Sequence, residues 1–249
     1  MNNKDLFEIA LDVCKKESKG RAIDPDVWGY YLDWSQRQYF EQEFAKYEST
    51  RRVGDTLLPF VIKTTLSYSS KYLPENYKHI ISAIVTYSEV DGSYPIDVVT
   101  IEEYMDRTGN SLLESTYSDP LMYVYRSVGD DPLIRFRYEL DVGEVATPDV
   151  ISFAYLRNPP SCIFDYYVDA DGDVIYLDEN EEYTLTTGEE YRDGSISTTV
   201  TSISKELWWN DSDKLKILEM ALMKIGVKME NGAVMQYAGM LNQINQAQP

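Results

Sequence analysis

The sequence predicts an α+β protein, with a helical layer formed by both termini and an antiparallel β-rich domain inserted between them. Three observations predict it. Long stretches with apolar residues at helical spacing occur near the two ends, and the middle is a series of β-branched and aromatic segments separated by turn residues. Charge divides at the same places. Residues 1–52 carry 10 acidic and 9 basic side chains and residues 205–249 carry five of each, whereas residues 53–204 carry 27 and 9. Nearly all of the net charge of −19 therefore lies in the middle. The expected domains are 1–52 plus 205–249 as the helical layer and 53–204 as the acidic insertion.

The first helix is predicted over 5–18, where Leu6, Ile9, Ala10, Val13 and Cys14 fall on one face. The pair Lys15–Lys16 sits near its C-terminal end, where the helix macrodipole favours cations. Asp24-Pro25 opens a second helix, with Asp24 as N-cap and Pro25 at the first helical position, where its missing N–H costs nothing. Its stripe is Trp28, Tyr31, Leu32, Tyr39, Phe40, Phe44 and Tyr47. Strands are predicted at 60–68, 79–87, 121–127, 133–140, 150–156, 174–177 and 197–202, with tight turns at Gly129-Asp-Asp-Pro132 and Asp171-Gly172. A short helix at about 101–108 interrupts them, with Thr100 and Glu103 in capping-box spacing. Asn210-Asp-Ser-Asp213 starts a helix carrying Leu215, Leu218, Ala221, Leu222 and Ile225, with Gly226 as its C′ residue. A last helix is expected from about Asn231, with Val234, Tyr237, Ala238, Leu241 and Ile244 in register.

Composition excludes several classes. With 249 residues, 43% hydrophobic and 26% charged, the chain can bury a sizeable core and is not disordered. No apolar run reaches membrane-span length, and Met1-Asn-Asn-Lys-Asp-Leu-Phe-Glu lacks the basic-then-apolar order of a signal peptide. The two cysteines, Cys14 and Cys162, read as reduced core residues. A charge of −19 argues against a nucleic-acid binder with a basic face. There is no Walker A loop, Gly-x-Gly-x-x-Gly fingerprint, Gly-x-Ser-x-Gly elbow or reactive-cysteine context, and the single histidine, His79, lies in an apolar strand. No enzyme activity and no cofactor are expected.

Asp169-Ala-Asp171-Gly-Asp173 imitates the start of a calcium loop. Its glycine, however, is at position four instead of six, and Asn180 stands where the bidentate glutamate belongs. The surrounding stretch 165–193 holds eleven acidic residues against one basic, Arg192. Two readings fit: a solvated hairpin region that keeps the protein soluble, or an acidic surface facing something that must not stick, such as passing DNA. The residues of that face are Asp169, Asp171, Asp173, Asp178, Glu179, Glu181 and Glu182.

The order of parts resembles a family. Two N-terminal helices, a β-rich insertion and C-terminal helices look like the head-to-tail adaptor, or tail-gatekeeper, proteins of short-tailed bacteriophages. A closer resemblance is to the ring proteins of crAss-like phages. It is carried by Trp28-Gly-Tyr-Tyr-Leu-Asp-Trp34, by Phe153-Ala-Tyr-Leu-Arg-Asn-Pro-Pro160, and by Trp209-Asn-Asp-Ser-Asp-Lys-Leu-Lys-Ile-Leu-Glu-Met-Ala-Leu-Met-Lys-Ile-Gly-Val227. The resemblance implies a non-enzymatic virion subunit that forms a ring, a dodecamer in that family, below the portal in the neck. It would join portal to tail and let DNA pass without specific binding. It also implies assembly in the bacterial host cytoplasm, with portal and adjacent tail or ring proteins as partners and no membrane contact. On that reading Met229, Val234, Met235, Tyr237, Met240, Leu241 and Ile244 form a docking face for the portal or a neighbouring ring subunit. Those apolar positions exceed what one intramolecular helix face needs, and the flexible methionines suit an adaptable surface. The same segment could instead fold back on its own domain. The competing function class is a carbohydrate-binding β module of a phage tail or cell-surface protein, in which exposed Tyr and Trp stack on sugars.

Overall fold

A computed structural model describes residues 1–17, 23–67, 72–87, 92–110, 115–127, 135–142, 148–196 and 198–225. It is α+β, as the sequence predicts. The order is α1 (Asn3–Glu17), α2 (Pro25–Thr50), a 3-10 turn (Asp55–Phe60), β1 (Val61–Ser67), β2 (Tyr77–Tyr87), β3 (Gly92–Pro95), β4 (Asp97–Val98) and α3 (Ile101–Thr108). It continues through β5 (Leu121–Ser127), β6 (Arg135–Asp141), β7 (Val150–Arg157), β8 (Tyr166–Val168), β9 (Val174–Tyr176), β10 (Glu182–Thr184), β11 (Glu190–Tyr191), β12 (Thr199–Thr201) and α4 (Asp211–Ile225). The chain divides into two compact units. One is built from 1–59 and 159–249, the other from 60–158.

In the unit of 60–158, β7 is the central strand of an antiparallel sheet ordered β1-β7-β2-β3. Paired on both edges, β7 buries Ile151, Phe153, Tyr155 and Leu156. Its partner β2 does not follow a simple alternation, because its register against β7 shifts between Tyr77 and His79 and again between Ile80 and Ser82. Each shift inserts one residue, so Tyr77, Ile80 and Ala83 face the same core at intervals of three before Val85 and Tyr87 resume the period of two. His79 consequently stands half-buried, opposite Leu156. A second sheet, β4-β5-β6, has β4 and β5 parallel and β5 and β6 antiparallel. It contributes Met122 to the same core. Thr100 Oγ1 caps α3 by accepting from Glu103 N at 3.2 Å.

In the unit of 1–59 and 159–249, Asp24 Oδ1 accepts from Asp26 N (2.9 Å) and Val27 N (3.3 Å), starting α2 where the sequence places it. Arg51 ends the helix in the left-handed region, φ 54°, with its N–H donating to Tyr47 O. Asn210 Oδ1 caps α4 through Asp213 N at 2.9 Å. Leu6, Ile9, Ala10 and Cys14 of α1, Trp28, Leu32, Phe40 and Phe44 of α2, and Ile217, Leu218, Ala221 and Leu222 of α4 are all buried. The Phe7 ring lies 5.9 Å from Trp28, and Trp209 lies 5.1 Å from Tyr39. Each fully buried large side chain of this kind contributes roughly 1.5–3 kcal/mol.

The unit boundaries differ from the expected 52/53 and 204/205, falling at 59/60 and 158/159. Polar contacts account for the later part. Gln36 Nε2 donates to Pro160 O (2.9 Å), Cys162 N donates to Asp33 Oδ1 (2.7 Å), and Asn3 Nδ2 donates to Cys162 Sγ (3.3 Å). The Phe7 and Phe164 rings meet at 4.8 Å. The acidic stretch 165–193 therefore belongs with the helices. The expected turn at Gly129–Pro132, the C′ residue Gly226 and the last helix from Asn231 lie outside the described residues.

Candidate functional site: an acidic lobe on a helical scaffold

The lobe is two small antiparallel sheets, β11-β8-β9 and β10-β12. Strands of two or three residues cannot hold themselves together, and here side chains complete the lobe. Leu177, Leu185, Tyr167 and Tyr191 form its core, with the Tyr167 and Tyr183 rings stacked at 4.4 Å and an interplanar angle of 15°. At its base lies Asp165, fully buried. Its carboxylate accepts from Tyr191 OH (2.6 Å), Ile203 N (2.9 Å) and Tyr166 N (3.2 Å). The Arg192 guanidinium stands 3.6 Å away. A buried carboxylate is tolerated only with partners of this number. Burial, together with the Asp165 carboxylate, pushes the Tyr191 phenol above its usual range.

The carboxylates of 165–193 divide by task. Asp169 Oδ1 accepts from Asp171 N (3.0 Å) and Asp173 N (2.8 Å), folding the loop in which Gly172 takes φ +88°. The resemblance to a calcium loop thus comes from an Asx turn. Among the described residues, no three His, Cys, Asp or Glu side chains are grouped so as to hold a metal ion. Glu181 Oε2 accepts from Asp178 N at 2.9 Å. Glu189 accepts from Thr186 N (2.6 Å) and Tyr183 OH (3.0 Å), and Asp193 accepts from Ser195 N (2.9 Å). These bonds hold both carboxyls below the ordinary range, the Thr186 backbone N–H acting most on Glu189 and Ser195 on Asp193. Asp171, Asp173, Asp178, Glu179 and Glu182 are exposed on the lobe surface. Of the seven expected face residues, Asp169 and Glu181 also serve as turn formers.

The interface residues Met229, Val234, Met235, Tyr237, Met240, Leu241 and Ile244 lie outside the described residues. The Asp165–Tyr191–Arg192 cluster was not singled out from sequence. Its signal is a lone aspartate inside the apolar run from Cys162 to Val168. Cys14 and Cys162 are both buried, and burial raises the Cys162 thiol far above its usual range. None of the described helices is long and apolar enough to cross a membrane.

Fold and lobe together define an α+β protein of two units, one of them an aromatic helical scaffold bearing a small acidic β lobe. No family model and no curated protein matches this chain.

Proposed function

We propose that the chain is a non-enzymatic structural subunit of a bacteriophage virion. It would form the neck ring that joins portal to tail and lines the DNA channel. The observation that carries this reading is the separation of charge within one unit. Exposed carboxylates collect on the lobe, at Asp171, Asp173, Asp178, Glu179 and Glu182, beside near-neutral helices that leave Val27, Tyr30 and Met223 exposed. A closed ring needs two different patches that meet at each subunit boundary, and low-charge aromatic surfaces associate at little electrostatic cost. A lumen lined by carboxylates repels the phosphate backbone and lets it slide. The low isoelectric point, ≈ 4.4, fits a surface that DNA passes without sticking. The ring is a homo-oligomer, a dodecamer by resemblance to the ring proteins, located in the virion neck and assembled in the host cytoplasm.

Negative-stain imaging of the purified chain, alone and mixed with phage portal protein, tests this. Closed rings, or decoration of the portal, are the expected result. A small species in both samples would overturn it.

A further inference from the structure

The N-terminal turn of α2 and the segment 162–164 enclose a cleft of ≈ 390 Å³, lined in part by Asp26, Gly29, Tyr30, Asp33, Phe164 and Arg192. The helix approaches closely here: a Cβ on Gly29 would stand 3.3 Å from Phe164 Cβ. Three groups of the lining keep a face open to the cleft, two of them already ion-paired with each other. The Arg192 side chain, 31% exposed, ion-pairs with Asp165 Oδ1 at 3.6 Å and with Asp26 Oδ1 at 3.8 Å, distances that leave its guanidinium N–H groups able to donate to a ligand. The Asp26 side chain is 60% exposed at the rim. Tyr30 is 66% exposed, a large aromatic face presented to solvent and braced edge-on by Tyr31 at 5.4 Å. Asp33, by contrast, is spent on Gln36, Arg37 and Cys162 N.

Charge narrows the ligand class. An anion drawn to Arg192 would meet the carboxylates of Asp26, Asp33 and Asp165, and a cation drawn to Asp26 would meet Arg192. A neutral group that both donates and accepts suffers neither penalty. A hydroxyl can accept from the free guanidinium N–H groups while a neighbouring hydroxyl donates to Asp26. The apolar C–H face of a sugar ring packs on an exposed phenol such as Tyr30. The volume falls within the range of small-molecule sites. We propose that this cleft binds a neutral saccharide, with Tyr30 as the stacking platform and Arg192 and Asp26 as the hydroxyl partners. The inference does not depend on ring assembly.

Saturation-transfer NMR on the full chain tests it. The probes are methyl glycosides of glucose, mannose and galactose, with N-acetylglucosamine, rhamnose and glucuronate. The expected result is saturable binding of at least one neutral probe, with Kd on the order of 1 mM. Tyr30→Ala and Asp26→Ala each weaken it by about tenfold or more, whereas Tyr30→Phe keeps it, all with the wild-type melting transition. No saturable neutral probe, binding indifferent to Tyr30→Ala, or glucuronate bound about tenfold tighter than every neutral probe would each overturn the proposal.

Discussion

The Tyr39 hydroxyl donates to Asp213 Oδ1 at 2.7 Å across 174 residues of sequence, and Lys216 Nζ donates to both partners at 3.0 Å. This polar seam joins α2 to α4 inside an otherwise apolar contact. Asp213 is 2% exposed, so its charge is affordable only while the seam is intact.

Tyr39→Phe or Asp213→Ala should each lower stability by about 1–3 kcal/mol, because either leaves a buried polar group without its partner. The double variant should lose less than the sum. Urea denaturation of the four proteins gives the coupling energy, and strict additivity would show that the seam contributes nothing cooperative.

Alkali should release the same seam. Burial pushes the Tyr39 phenol up to about 12 from its ordinary 10. Its folded pKa is the raised one, so its contribution is complete below pH 10 and fades as pH rises through about 12. Melting temperatures of wild type and Tyr39→Phe should therefore converge across that interval, and a constant gap would refute the assignment.

Asp165→Ala should destabilise the helical unit by about 3 kcal/mol, since it strands Tyr191 OH, Ile203 N and the Arg192 guanidinium together. The readout is chemical denaturation, with hydrogen exchange at Ile203 as a local reporter. Protection at Ile203 unchanged in the variant would show that the carboxylate does not anchor the lobe.

Acid should loosen the lobe through Glu189 and Asp193. Their folded pKa values lie below the ordinary 4.5 and 3.8, so their contribution holds above those values and is lost as pH falls beneath them. Glu189→Gln with Asp193→Asn should flatten the acid limb of a stability-against-pH curve. An unchanged limb would place the acid sensitivity elsewhere.

Deleting 228–249 tests whether that segment docks a partner, as the proposed ring reading expects. The remaining chain is expected to keep its melting transition and to lose ring or portal association. A steep fall in melting temperature would assign the segment to the subunit's own core.

The long elements are legible in sequence because local rules and tertiary burial agree there. The Asp24-Pro25 start of α2, the Asn210 cap of α4 and the β-branched and aromatic runs of β5 and β7 each rest on a pattern confined to a few neighbours. The pieces that escape are β3, β4, β8, β10 and β11, two to four residues long and too short to show a period. The unit boundary at 158/159 escapes for another reason. Acidic composition describes the surface of the lobe, whereas its attachment rests on Phe164, Cys162 and Asp165, which composition does not weigh. Asp213 and Gln36 escape likewise, because a polar residue on a helix gives no sign of burial until its distant partner is known.

The interrupted construction of the helical unit has a consequence for synthesis. The ends of the intervening unit are held together by the pairing of Val61 with Leu156 through Ser67 with Val150, so that unit can close as soon as β7 has left the ribosome. The helices α1 and α2 emerge first, yet α4, which covers part of their apolar surface, is made about 170–200 residues later than Trp28 and Phe40, roughly 10–40 s at bacterial or eukaryotic elongation rates. During that interval the aromatic faces of two helices stand uncovered. Nascent chains should therefore engage holding chaperones through 1–50 and release them once residue 225 has cleared the exit tunnel.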